Sequence, residues 1–410
     1  MSDPTVYRHR DFILFASSRF LSTVAMMVQS VAIGWQIYEI ERTPLALGLV
    51  GLCQFLPMFL FTLPAGEMTD RFDQRRVLSL ALLLQGLCAA IFLTLSITGI
   101  KTAVAYYAVL VLFGVGRGFA SPAGQSLTPF LVPPERLPRA IALNSSVFTT
   151  AVIAGPAMGG FLYAFGPEVT YSLCLAFFVA ASAITAIIGG RRRAKEVNTE
   201  MSRFERVVEG IRFVKNRPVI LGAISLDLFA VLLGGATALL PLFARDILHT
   251  GPWGLGLLRS APAVGAALVA LALTGRPIER NIGVKMFAAV AVFGVATIVF
   301  GLSSNFYLSM GALFVLGASD MISVFVRQSL VSFATPDEMR GRVGAVNMLF
   351  IGASNELGEF ESGITAALFG SIPAVIIGGL GTLGVVAIWM KLFPPLRDVD
   401  RLKDIEFKQA

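Results

Sequence analysis

Residues 74–101 read QRRVLSLALLLQGLCAAIFLTLSITGIK. From Val77 to Thr98 no side chain is charged, and Leu, Ala and Ile dominate. As a helix rising 1.5 Å per residue the run is about 33 Å long, the thickness of a bilayer's hydrocarbon core. Arg75 and Arg76 stand at one end and Lys101 at the other. A run so long and so apolar reads as a transmembrane helix.

Eleven further runs of this kind follow along the chain, near 12–37, 45–66, 102–126, 140–163, 170–190, 218–244, 254–274, 286–302, 306–330, 343–369 and 373–391. Pro, Gly and charge clusters mark their ends. The first is too long for a cleavable signal peptide and lacks a small-residue cleavage site. Across all 410 residues 55% are hydrophobic and 14% charged, against a charged share of about 25% in soluble domains. A soluble chain of this kind would expose large apolar patches and aggregate. The expected fold is therefore an all-α integral membrane protein of twelve transmembrane helices, with a lipid bilayer as its solvent.

Lys and Arg set the orientation. With the N-terminus in the cytoplasm, the inside segments hold 26 of the 33 basic residues and the outside loops hold Arg42, Lys101 and Arg245. Both termini are expected to be cytoplasmic, in a bacterial inner or cytoplasmic membrane. The net charge of +7 is then a topology signal, and no nucleic-acid partner is implied. The longest gap opens on Arg191-Arg192-Arg193 and continues with Phe204, Val207, Val208, Ile211 and Val214 at helical spacing. It reads as an amphipathic helix on the membrane surface, joining two halves.

Those halves repeat. Shifted by 203, Gln125, Ser126 and Leu127 fall on Gln328, Ser329 and Leu330, and Phe130, Pro133, Glu135, Arg139 and Asn144 fall on Phe333, Pro336, Glu338, Arg342 and Asn347. Gly155 and Gly160 then meet Gly358 and Gly363. A shift of half the chain across an even number of spans gives parallel halves related by an axis along the membrane normal. The expected organisation is an N-terminal six-helix bundle (1–190), a cytoplasmic linker (191–217), a C-terminal six-helix bundle (218–393) and a cytoplasmic tail (394–410).

Two stretches carry a family resemblance. Gly66-Glu67-Met68-Thr69-Asp70-Arg71-Phe72-Asp73-Gln74-Arg75-Arg76 resembles the loop between the second and third helices of the major facilitator superfamily. Asp73 stands where the usual glycine is found and Gln74 replaces one basic residue. Ala151 to Gly160, with Gly155, Pro156, Gly159 and Gly160, resembles the helix-packing motif of the superfamily's drug exporters, and Arg117 matches the arginine of a third motif. Arg19-Phe20-Leu21-Ser22, Asp227-Leu228-Phe229 and Ser354 to Glu359 are similar to the enterobactin-exporter-like and drug-efflux group. The resemblance implies two six-helix bundles, alternating access, and a cytoplasmic gate built on Gly66, Asp70, Arg71, Arg75 and Arg76. Independently of it, Gly155, Gly159 and Gly160 let helices approach closely, and Pro156 bends the span.

Charge within the spans is the most informative chemistry, since each ionised group at midplane costs about 2.5–3.5 kcal/mol even on the mildest scale. Arg19, Arg117, Asp227, Arg259, Asp320, Arg327, Glu356, Glu359 and Glu361 fall on the first, fourth, seventh, eighth, tenth and eleventh spans. The third, sixth, ninth and twelfth have none, as expected if every third helix faces lipid. Arg19 and Asp227 are equivalent under the repeat, as are Arg117 and Asp320. Opposite signs at related positions suggest ion pairs between the halves. Arg19, Arg117 and Arg327 are candidates for such pairs, static or broken during transport. Glu356 and Glu359 share one helical face with Gly352 and Gly363, where two carboxylates disfavour joint ionisation. Glu356, Glu359, Asp227 and Asp320 are candidates for a proton-coupling role. Gln29, Trp35, Gln36 and Asn355 are candidates for substrate contact, with helix packing the competing reading for the glutamines.

His9 and His249 lie outside the spans with no catalytic partner, and there is no phosphate loop, so neither an enzyme nor an ATP-driven pump is expected. Cys53, Cys88 and Cys174 lack metal or disulfide spacing; no cofactor, metal or partner protein is implied. The expected function is a secondary transporter, a proton-coupled exporter of a siderophore-like or amphipathic small molecule. Import of a nutrient is the alternative, and a non-transporting scaffold or sensor is the alternative of another class.

Overall fold

In the computed structural model, residues 9–189, 203–276, 278–336 and 339–401 are described. The first half holds α1 (Arg10–Glu41), α2 (Pro44–Arg71), α3 (Gln74–Ile97), α4 (Ala103–Leu127), α5 (Leu137–Tyr163) and α6 (Pro167–Ala186). After α7 (Arg203–Lys215) comes α8 (Pro218–Leu233), carried on by α9 (Leu240–Leu242) and a π-helical turn, Phe243–Ile247. Then follow α10 (Pro252–Gly275), α11 (Ile282–Leu302), α12 (Phe306–Phe333), α13 (Arg340–Phe369), α14 (Ser371–Leu392) and the short α15 (Pro394–Arg397).

Eleven of these stretches are long and apolar enough to cross a membrane. The helix α13, at 30 residues, is long enough but interrupted by Glu356, Glu359 and Glu361. Including it, the described residues form twelve long helices. Many large apolar side chains point outward, among them Leu80, Leu271 and Leu368 at 65–71% exposure. In water that surface would drive aggregation; in lipid it is the natural exterior.

The chain forms two compact units. One comprises Met1–Arg42, Leu52–Thr199 and Thr250–Ser260; the other comprises Thr43–Gly51, Glu200–His249 and Ala261–Ala410. In the first, α1 packs against α5 and α6, and α3 against α4 and α6. Gly155 and Gly159 let α5 close on Met27 and Val28 of α1, and a Cβ at Gly160 would come within 2.8 Å of the Gly256 Cα at the start of α10. In the second, α11 packs against α12 and α14, and α8 against α13 and α14. A Cβ at Gly363 would come within 2.7 Å of the Gly48 Cα.

The linker contains the helix α7. Residues 191–202 lie outside the described residues, and α7 turns part of its apolar side inward. Its Val207, Phe213 and Val214 pack with Ile220 and Ile224 of α8 and Val343 and Val346 of α13, and Glu209 pairs with Arg342 at 2.7 Å. Among the described side chains of α7, Val208 and Ile211 keep exposed apolar surface, 39% and 45%. The tail is also docked. Backbone N–H groups of Ile282 and Gly283 donate to the carbonyls of Asp400 and Val399, at 3.2 and 3.0 Å, and Leu396 is fully buried.

Candidate functional site

The second unit holds a buried charge cluster. Asp227 lies ten residues into α8, and Arg327 and Asp320 are seven apart on α12, which brings them to one face of that helix. Arg327 Nη1 donates to Asp227 Oδ2 at 3.2 Å and to Asn347 Oδ1 of α13 at 3.1 Å. Asp227 and Arg327 are 5% and 2% exposed. Asp320, half-buried, lies within electrostatic reach of both. Arg327 Nε has no hydrogen-bond partner among the described residues. One carboxylate pairs with the guanidinium and a second lies in its field, in a setting where an unpaired buried charge is costly.

The cation that meets Asp227 is Arg327 of its own unit. Arg327 is one of the three ion-pair candidates named from the sequence.

In the first unit, Arg19 and Arg117 line a common cavity of about 300 Å³ with Ser22, Gln85 and Gln125. Arg19 stacks over Phe148, 5.7 Å from the ring centroid. Arg117 Nη1 donates to Gln54 Oε1 at 3.4 Å, a long contact.

The loop between α2 and α3 is built by capping. Asp73 N-caps α3, accepting from the Arg75 N–H at 3.0 Å, and pairs with the Arg75 guanidinium at 2.6 Å. Arg75 Nη1 also donates to the Ile188 carbonyl beyond α6. The Arg75 guanidinium holds the Asp73 carboxyl below the usual carboxylate range. A lowered carboxyl stabilises the folded state at neutral pH, and that contribution disappears as pH falls through the lowered value. Asp73→Ala is expected to cost about 1 kcal/mol, read as a drop in melting temperature that narrows on acidification. The Asp70 side chain lies outside the described residues, as its helix α2 ends with Arg71; Gly66 is buried one turn earlier, and Arg76 opens α3.

The family then follows from the whole length of the chain: the transmembrane secretion effector family of the major facilitator superfamily matches residues 5–408. The chain belongs to this family of transporters. It is 24% identical to the enterobactin exporter EntS of Citrobacter koseri, over 95% of this chain and 93% of that protein. It is 29% identical to the multidrug efflux pump Tap of Mycolicibacterium fortuitum, over 90% of this chain and 92% of that protein. Among solved structures, the nucleoside transporter NupG superposes with a TM-score of 0.71 at 13% identity, covering 93% of this chain and 99% of that one. A bacterial homolog of the human lysosomal transporter Spinster gives 0.72 at 15% identity, covering both chains fully. At such identities the structures speak for the fold alone. The chain is thus a multi-pass membrane transporter and not an enzyme.

The remaining candidates separate. Gln36 is committed to helix joining: its Nε2 donates to Tyr106 at 2.9 Å and Ser96 at 3.1 Å, and its Oε1 accepts from Tyr171 at 2.6 Å. The two tyrosines stack on Phe92, so the amide binds α1 to α3, α4 and α6 and leaves little for a substrate. Gln29, 1% exposed, has neither amide atom partnered among the described residues. Trp35 is buried. Asn355 is exposed and donates back to the Ile351 carbonyl at 3.0 Å. On α13, Glu359 lies against α2: a Cβ at Gly51 would come within 2.9 Å of Glu359 Oε2. Glu361 accepts from Thr365 at 2.6 Å, and Glu356 is half-buried.

Sequence reasoning missed Gln54 and Gln85, each a lone amide in an apolar run, which was the available signal. It also missed Asp73 as a cap, although an Asp immediately before a helix is the usual signature.

Proposed function

We propose that this transporter exports an amphipathic small molecule of siderophore-like or drug-like chemistry in exchange for protons, by alternating access between two six-helix halves. The observation that carries the reading is the Asp227–Arg327–Asp320 cluster. Three charges of which one is positive leave an excess negative charge, and one bound proton removes it. When Asp227 is ionised it holds Arg327; when Asp227 takes a proton, the unpartnered Nε of Arg327 is free to turn toward Asp320. The proton therefore decides whether the guanidinium ties α12 to α8 or turns back along its own helix. Coupling needs such a two-state element biased by protonation. Glu356 and Glu359 remain proposed second proton carriers, placed where α13 meets α2. The named relatives support the outward direction, since both are exporters by name.

The test is transport in inverted vesicles with an imposed pH gradient, acid inside, against a panel of catecholate siderophores and amphipathic dyes. Accumulation that collapses with a protonophore is the expected result. Accumulation insensitive to the gradient would remove protons from the cycle.

A further inference from the structure

A short hydroxyl in an apolar helix is commonly satisfied by its own backbone. In the second unit Ser225, Thr297, Ser319 and Thr382 each donate to the carbonyl three or four residues earlier. Ser323 of α12 departs from that habit. It is 2% exposed, and its Oγ has no hydrogen-bond partner among the described residues. An unmet hydroxyl in such a place is costly. The same helix carries a second unmet group, Arg327 Nε. A guanidinium Nε can only donate, whereas a hydroxyl can both accept and donate. The two needs are complementary.

Position brings them within reach. Ser323 lies three residues after Asp320 and four before Arg327, so all three stand within about 60° of one another around α12. A long side chain on a helix leans toward the N-terminus, over the residue about four places earlier. For Arg327 that residue is Ser323. Asp320 is two turns away, about 10.5 Å along the axis, and the hydroxyl stands between them. In the structure the guanidinium is turned to α8 and α13 instead, with Nη1 on Asp227 and Asn347. The facing helices are sparse in charge. Besides Asp227, α8 has none; residues 261–275 of α10 have none; and α11 has only Lys285, near its start. On α13, Arg340 and Arg342 stand at the start, with Arg342 paired to Glu209, and Glu356 comes nine residues beyond Asn347.

We infer that Ser323 is a positioning residue of the proton switch: when Asp227 takes a proton and releases the guanidinium, Ser323 Oγ accepts from Arg327 Nε and donates to the Asp320 carboxylate. The inference rests on the proton-exchange reading and adds the group that receives Arg327. No proton is transferred at the serine; its hydroxyl only turns. Because the bridge exists only in the protonated state, it favours proton uptake. Without it, Asp227 should need a more acidic medium to be protonated.

The test is an acid titration of the purified full-length protein in phosphatidylcholine nanodiscs, followed by the infrared carbonyl band of protonated carboxyl groups. The Asp227 band is the one that Asp227→Asn removes. Ser323→Ala should move its midpoint to lower pH by about one pH unit, the tenfold that one hydrogen bond to a charged group is worth. Ser323→Thr keeps a hydroxyl and should keep the midpoint of the unmodified protein. Ser319→Ala, which loses a hydroxyl bonded to the Leu316 carbonyl, should change nothing. In an Asp320→Asn background the Ser323→Ala shift should fall to less than about half, because the bridge has lost its far end. An unmoved midpoint in Ser323→Ala overturns the inference. Equal shifts in the alanine and threonine variants, or an equal shift with and without Asp320, overturn it as well. The absence of any band removed by Asp227→Asn would overturn it together with Asp227 as the coupling acid. The expected shift combined with vesicle accumulation indifferent to the pH gradient would count against the exchange reading and leave the switch standing. Gradient-driven accumulation with no shift would overturn the inference alone.

Discussion

Asp227→Asn is expected to abolish pH-gradient-driven accumulation in vesicles while leaving downhill exchange of substrate measurable. The asparagine keeps the shape and one hydrogen bond to Arg327 but can neither ionise nor take up a proton. Arg327 is then held in one arrangement, or turns permanently to Asp320, and its position no longer reports the proton. The loss should reach at least about a hundredfold in accumulation ratio, as expected when a driving force of roughly 3 kcal/mol is uncoupled. Asp320→Asn should act in the same direction. Full gradient-driven accumulation in both variants would move the coupling acid to Glu356 or Glu359, whose glutamine variants are the next measurement.

Arg327→Leu should destabilise the folded protein by about 3 kcal/mol, because it leaves Asp227 buried without its counter-charge. The readout is thermal unfolding in detergent. The diagnostic result is the double variant: Asp227→Asn in the Arg327→Leu background should recover most of the lost stability, since the uncompensated carboxylate is gone. If the double variant is less stable than either single one, Arg327 acts through packing and the pair is incidental.

The fold was legible wherever a whole stretch had one character. Uncharged runs such as 77–98 and the basic segments between them need only composition and length, and the glycines at 155, 159, 160 and 363 announce close helix contacts. What could not be read is which side chain meets which. Asp227, Arg327 and Asn347 come from three helices separated by up to 120 positions, and no periodicity within any one of them specifies the other two. The repeat relates Arg19 to Asp227 in sequence register, but register under a symmetry axis carries no information on which helix of the same unit supplies Arg327. Gln36 shows the same limit: its position in α1 was legible, whereas the two tyrosines and a serine that hold its amide lie on other helices.

Proton release on substrate binding tests the exchange of substrate for protons most directly. The purified transporter in weakly buffered detergent solution near neutral pH is mixed with a transported substrate and the pH is followed. The expected result is release of about one proton per substrate bound, reduced to none in the Asp227→Asn, Asp320→Asn double variant with binding retained. Saturable substrate binding with no proton release in the unmodified protein would contradict proton exchange and leave a transporter driven by another gradient.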